Sequence, residues 1–297
     1  MQVPAQFQYE KATSVEHALS LLSRYGPESR LVAGGHSLIP MMKLRLAQPQ
    51  ALIDINDLAE LATIGIQENT LTIGAMVRHA DLLASAVAGE HFPIFHDAER
   101  LIADPVVRNR GTVGGSLCQA DPSEDLSAVF TALRGEAVIQ GADGQRVVPV
   151  REFFTGPYET VVGDDEILVA LRVPIRSSAS AYQKVERRAG DWAVAAAGAE
   201  LRLDGDQVAE AGIGLTAVGA RGFHAPEAEE FLVGGPATDE RFERAGAIAA
   251  EHCEPVADQR GPAGYKRHLA ATLTTRALRQ ARQRWRGQHG TDAGTEG

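Results

Sequence analysis

Two short runs, Ala33-Gly34-Gly35-His36-Ser37 and Thr112-Val113-Gly114-Gly115-Ser116, carry the residue types from which an anion site is built. Adjacent glycines lack Cβ atoms, so the backbone can turn through positive φ and bring N–H groups close to a ligand. Consecutive N–H groups pointing one way form a nest suited to a pyrophosphate. A single glycine pair is more often a plain strand-to-helix turn. Two of them, each ending in a small hydroxyl residue, predict a dinucleotide held from two sides. His36 and Ser37 add donors to the first loop, and Leu38-Ile39-Pro40 an apolar wall. Thr112 and Ser116 offer hydroxyls in the second. His36 reads as a fixed hydrogen-bonding group with no catalytic role. Arg108 and Arg110 match phosphate oxygens with their guanidinium forks, but ion pairs with Asp104 or Glu99 account for them equally well. Asp121 and Asp125 follow at i, i+4 spacing, without the further oxygen ligands that a metal needs. Asp121, with Pro122 behind it, reads as the N-cap of a helix through Leu126 to Leu133.

The elements that must position these loops follow from periodicity. Ser14 to Arg24 has helical spacing, with Val15, Ala18, Leu19 and Leu22 on one face. Arg30 to Ala33 reads as a strand running into the first glycine loop. Met41 to Leu46 reads as a helical turn and Ala51 to Ile55 as a second strand, which places the loop at a strand's carboxyl end, where α/β folds hold ligands. Two hairpins are expected, one turning at Glu68-Asn69 and one at Ala142-Asp143-Gly144. Helical patches lie at Arg78 to Ala86 and Ile94 to Leu101. Ile167 to Val173 is the last strand of this half, ended by Pro174. The polar stretch Arg176 to Ser180 marks a domain boundary. Beyond it, Ala193 to Leu203 and Gln207 to Val218 read as antiparallel strands, followed by helices at Pro226 to Leu232, Asp239 to Glu251 and Gly264 to Arg286. The polar end, Gly287 to Gly297, is expected to be disordered.

Composition narrows the function classes. Lys and Arg total 29 against 39 Asp and Glu, a formal net charge of −10, which argues against nucleic acid as a partner. Only two cysteines occur, Cys118 and Cys253. A thiolate-held iron–sulfur cluster needs four, so this chain carries none of its own. Cys118 is expected to be a small buried residue beside the second loop. The first residues lack the pattern of a signal peptide, and no apolar run of about 18 residues occurs. The chain is expected to be cytoplasmic. No nucleophile with a paired base appears in motif form, so any chemistry should come from a cofactor.

The run from Ala33 to Arg45, the run from Asp104 to Ser116 and its continuation Ala120-Asp121-Pro122-Ser123-Glu124-Asp125 resemble the two flavin loops of the FAD-binding medium subunits of molybdenum hydroxylases. Within that family the likeness is strongest to aerobic carbon monoxide dehydrogenases, and it extends from about Phe7 to about Leu278. The resemblance implies a PCMH-type α/β FAD-binding domain of two sub-regions over residues 1–176. A smaller α+β domain, a three-stranded antiparallel sheet with a helical bundle, would follow over 177–286. It implies that Ala33, Gly34, Gly35, His36, Ser37 and Leu38, with Thr112, Val113, Gly114, Gly115 and Ser116, hold the FAD pyrophosphate. Asp125 would accept from ribityl or ribose hydroxyls. Lys184 would stabilise negative charge near flavin N1, and Trp192 would lie against the ring or gate it.

The resemblance also implies a place in a larger enzyme. A large subunit would hold molybdopterin cytosine dinucleotide and the substrate, and a small subunit two [2Fe–2S] clusters, in a dimer of heterotrimers. Electrons would reach this FAD and leave to a quinone, the net reaction being carbon monoxide and water to carbon dioxide, two electrons and two protons. Attachment to the inner face of the membrane would come through partners. Three rivals stand beside this reading: a medium subunit for an aldehyde, purine or N-heterocycle, a free-standing flavin oxidase with covalently tethered FAD, and an assembly subunit that has lost its flavin.

Overall fold

The computed structural model describes residues 3–289 and is built on three sheets of three or more strands and one two-stranded pair. The first sheet is parallel, in the order Gln8–Lys11, Ala51–Asp54, Ser29–Val32. Helix Val15–Tyr25 packs on it, capped where Ser14 Oγ accepts from His17 N at 3.1 Å. Its buried face is Ala18, Leu21 and Leu22, with Val15 and Leu19 partly buried. Strand Gln8–Lys11 lacked a sequence signal because three of its four residues are exposed, leaving no apolar alternation. The expected turn at Met41 to Leu46 lies earlier, as helix Leu38–Lys43. Pro40 falls in its first turn, where no intrahelical N–H is needed, and Arg45 ends it with φ 58°.

The second sheet is antiparallel, in the order Ile64–Gln67, Thr70–Gly74, Ile167–Pro174, Glu136–Gly141, Gly144–Pro149. Glu68 and Asn69 both have positive φ, 47° and 62°, as a two-residue hairpin turn requires. The patch expected at Arg78 to Ala86 divides at Ser85, whose hydroxyl caps the next helix at Ala88 N.

The third sheet, Ala179–Val185, Ala195–Asp204 and Gln207–Thr216, is antiparallel in chain order. Helices Pro226–Leu232, Asp239–Glu251 and Ala263–His289 pack with it in one apolar cluster. The last helix therefore includes residues 287–289, which the sequence assigned to a disordered tail. The rest of that tail, 290–297, lies outside the described residues.

Helix Leu126–Ala132 joins the two halves, and all seven of its residues are buried. It lies in a groove of the third sheet made by glycines. A Cβ at Gly214 would strike the carbonyl oxygen of Ala128, and one at Gly212 that of Ala132. Gly214→Val is expected to cost about 3 kcal/mol by overpacking this joint, a loss measurable by urea unfolding.

Candidate flavin site

The first glycine loop leaves strand Ser29–Val32 and enters helix Leu38–Lys43. Gly35 takes φ 78°, a conformation that L side chains resist. Gly34 is needed for another reason. It lies flush on the second loop, where an added Cβ would meet the Arg110 carbonyl oxygen and come within 2.7 Å of Gly111 Cα. Among the described residues, none of the six consecutive backbone N–H groups of 33–38 finds an acceptor. Consecutive free amides of this kind are what an anion nest is made of. His36 is exposed, and Ala33, Gly34, Gly35, Ser37 and Leu38 are half-buried.

Asn56, just past the carboxyl end of strand Ala51–Asp54, laces the loops together. Its Nδ2 donates to Ala33 O at 2.8 Å, and its Oδ1 accepts from Arg78 at 2.8 Å and Arg110 at 3.4 Å. Arg78 also donates to the Arg110 carbonyl oxygen. Burial, and then the neighbouring Arg110 cation, hold the Arg78 guanidinium below its ordinary pKa, against the pull of Asp81 and Asp54.

The second loop is built differently from the expectation of a symmetric grip. Val113 N donates to Val77 O, Gly114 N to Ala75 O, Gly115 N to Thr112 Oγ1 and Ser116 N to Thr112 O, at 2.9 to 3.1 Å. All four amides are thus taken by the protein. Thr112 is the N-cap of helix Val113–Gln119 and is buried with Val113 and Gly114. Gly114 is required by packing, since its Cβ would lie 2.5 to 2.9 Å from Ala75. Only Gly115 is exposed, while Ser116 is half-buried and donates to Glu124 at 2.8 Å.

Neither arginine beside this loop pairs with Asp104 or Glu99. Arg108 donates to the carbonyls of Ile102 and Ala103, Asp104 caps its own helix at Val107 N, and Glu99 pairs with the buried His79 at 3.0 Å. The two loop units close on each other a second time where Gln119 meets Met41 Sδ at 4.0 Å. Cys118, expected to be buried, is exposed on this helix.

Asp121 is not the helix cap. It accepts from Ser123 N at 2.9 Å in a local turn and from the Tyr158 hydroxyl at 3.2 Å. Glu124 takes the capping role, accepting from Leu126 N at 2.9 Å, Ser127 N at 2.5 Å and the Ser127 hydroxyl. Its carboxyl is pushed up to about 7, foremost by burial and further by Asp125, against the hydrogen bond from Ser116. A carboxyl whose folded pKa is raised contributes stability that is complete below its unfolded value, about 4.3, and lost as pH rises through about 7. Unfolding free energy should fall by about 3 kcal/mol across that window from this group alone. Denaturant titrations at a series of pH values check this, because Glu124→Gln should flatten the slope.

Asp125 and Lys184 are partners of each other. Asp125 accepts from Lys184 Nζ at 2.9 Å and from the Tyr182 hydroxyl at 2.6 Å, and Lys184 donates also to Leu101 O at 3.1 Å. The side chains are 1% and 6% exposed for Lys184 and Asp125. Burial raises the Asp125 carboxyl, and Lys184 pulls it back. The pair links the third sheet to the segment after the second loop, while Arg284 with Asp97 and Arg151 with Glu229, both bidentate, join helices of the two halves. Trp192 is 44% exposed.

Asn56, Arg78, Tyr182 and Glu124 were not singled out in the sequence. Asn56 alone carried a signal, its place at a strand's carboxyl end. Among the described residues, no group of three or more His, Cys, Asp or Glu side chains is arranged to hold a metal ion. No helix of the described residues is long and apolar enough to cross a membrane.

The two joined loop units are followed by a sheet-and-helix domain. Residues 5–176 match the FAD binding domain in molybdopterin dehydrogenase, and residues 180–281 the CO dehydrogenase flavoprotein C-terminal domain. The chain belongs to the FAD-binding medium subunits of molybdenum hydroxylases. It is 40% identical to the carbon monoxide dehydrogenase medium chain of Hydrogenophaga pseudoflava, over 94% of this chain and 98% of that one. A solved structure of the Hydrogenophaga pseudoflava carbon monoxide dehydrogenase, lacking the Mo-pyranopterin moiety, superposes with a TM-score of 0.92 at 41% identity, covering 95% of this chain and 99% of that one. The carbon monoxide dehydrogenase medium chain of Afipia carboxidovorans is 36% identical over 95% and 99% of the two chains. The glyceraldehyde dehydrogenase medium chain of Sulfolobus acidocaldarius is 34% identical over 93% and 99%. The fold is accordingly a two-region PCMH-type FAD-binding domain with a smaller C-terminal domain.

Proposed function

We propose that this chain is the FAD-carrying electron-transfer subunit of an aerobic carbon monoxide dehydrogenase, with residues 1–176 as its FAD-binding domain and 177–286 as the C-terminal one. The observation that carries the flavin role is the run of six free amides at 33–38. The choice of carbon monoxide is supported by the similarity to medium chains of that activity at 40% and 36% identity.

The residues present fit FAD. Gly35 turns the backbone, Gly34 lets the second loop close on the first, and the amides of Ala33 to Leu38 receive the pyrophosphate. Gly115 and Ser116 flank it from the second loop, with Thr112, Val113 and Gly114 as the packed base of that loop. Lys184 acts through its field, because its ammonium is bonded to Asp125 and Leu101 O. Asp125 orients Lys184 and Tyr182, and Trp192 covers the ring. Bound FAD supplies a two-electron store between [2Fe–2S] clusters and a quinone. Molybdopterin cytosine dinucleotide and both clusters belong to partner subunits in a cytoplasmic dimer of heterotrimers.

A medium subunit for an aldehyde oxidiser is a second reading, favoured by the Sulfolobus relative at 34% identity. The same residues would serve it, since the substrate lies in another subunit. The test is purification from the native host with metal analysis and dye reduction. Molybdenum, iron and flavin with carbon monoxide-dependent reduction is the expected result. The same cofactors with only aldehyde-dependent reduction would select the second reading, and flavin without either metal would refute both.

A further inference from the structure

His79 and Glu99 form a buried pair that the flavin site described above leaves without a task. His79 Nδ1 lies 3.1 and 3.0 Å from the two carboxylate oxygens of Glu99, and the side chains are 5% and 0% exposed. Among the described residues, His79 is the one hydrogen-bonding partner of that carboxylate. Packing alone would be served as well by apolar side chains of similar volume. What the pair adds is a fixed orientation of the imidazole ring. Resting on the flavin reading above, we infer that Glu99 and His79 are positioning residues for FAD. The carboxylate fixes the ring against Gly111, and Gly111 is the seat of Gly34 in the run of free amides.

The chain brings these residues together through two helix ends. His79 opens helix His79–Ala84, and Glu99 closes helix Pro93–Glu99. His79 N donates to Gly111 O at 3.2 Å and Arg78 forms a β-bridge with Thr112, so residues 78–79 run beside 111–112. The His79 ring then covers Gly111, where an added Cβ would lie 2.9 Å from Cδ2 and 3.3 Å from Nε2. A Cβ on Gly34 would in turn lie 2.7 Å from Gly111 Cα. Imidazole, Gly111 and Gly34 thus follow one another in direct contact, with no side chain between the two glycines to absorb a shift. Burial works against the imidazolium, but the field and hydrogen bond of Glu99, and then the fields of Glu124 and Asp125, leave its pKa raised. That favours a protonated ring donating from Nδ1 to Glu99.

The test is the FAD dissociation constant of the full chain with its partner subunits, measured beside the melting temperature. Glu99→Met keeps the volume and removes the acceptor, and should weaken FAD binding about tenfold, the worth of one hydrogen bond. Glu99→Gln still accepts from Nδ1 and should stay within about twofold of the parent chain. On a Gly34→Ala background, titrated with excess FAD, Glu99→Met should cost almost nothing further, because the contact it supports is already open. An unchanged constant in Glu99→Met, even with a lowered melting temperature, would overturn the inference. An equal loss in Glu99→Gln would do the same, as would an undiminished loss on the Gly34→Ala background. If Glu99→Met does not fold, His79→Leu makes the same comparison by removing the ring itself. A folded parent complex without FAD would count against the flavin reading alone. The ring's hold on Gly111 is then read by hydrogen exchange. The His79 amide, bonded to Gly111 O, should exchange about tenfold faster in Glu99→Met, and an unchanged rate would overturn the inference.

Discussion

Gly34→Ala is expected to yield a folded chain that has lost its FAD. The added methyl would strike the Arg110 carbonyl oxygen and sit 2.7 Å from Gly111 Cα, so it meets backbone on the opposite loop rather than a side chain that can swing away. The loops cannot part freely, because Asn56 holds Ala33 O and Arg78 holds the Arg110 carbonyl. Forcing them apart costs about 3 kcal/mol, which corresponds to roughly a hundredfold loss of FAD affinity. Gly35→Ala meets only the tip of Ile39 and mainly suffers from its φ of 78°, a cost of about 1–2 kcal/mol. Gly114→Val acts on the fold instead, through Ala75. Flavin per chain and the dissociation constant, measured on all three folded variants, check the order. Stoichiometric FAD in Gly34→Ala would show that the two loops need not touch.

Asp125→Ala is expected to destabilise the protein by about 3–5 kcal/mol, because it leaves the buried Lys184 ammonium without its carboxylate. Glu186 lies 3.6 Å away and Leu101 O offers one neutral acceptor, too little to replace an ion pair at 2.9 Å. The Tyr182 hydroxyl loses its acceptor as well. The melting temperature should drop by about 10 °C. Removing both charges, as in Asp125→Ala/Lys184→Met, should recover part of that loss, since an apolar pair of similar volume is often no less stable than a buried ion pair. A double-mutant cycle by thermal unfolding measures the coupling. If Asp125→Ala lost flavin at unchanged melting temperature, the carboxylate would be a cofactor ligand and not a joint between domains.

These two cases show what the sequence made legible. Glycine pairs, hairpin turns and amphipathic helices are local, so the loops, the strands around Glu68-Asn69 and the helix Val15–Tyr25 could be read from neighbouring residues. The division of labour between the loops could not. Whether an amide is free depends on carbonyls far along the chain, such as Ala75 and Val77 for the second loop. Gly34 and Gly114 look alike in sequence, yet one meets the other loop and the other meets a strand end. That Asp125 and Lys184 bond each other could not be read either, because nothing local reveals that residues 59 positions apart form a pair. Glu124 went unread beside two aspartates better placed by spacing, and Asp121 was given its cap.

The measurement that tests the account most directly is the flavin content of this chain purified with its partner subunits, before and after acid denaturation. One FAD per chain, all of it released into the supernatant on denaturation, is the predicted result. A folded chain without flavin, or flavin that stays with the denatured polypeptide, would contradict it.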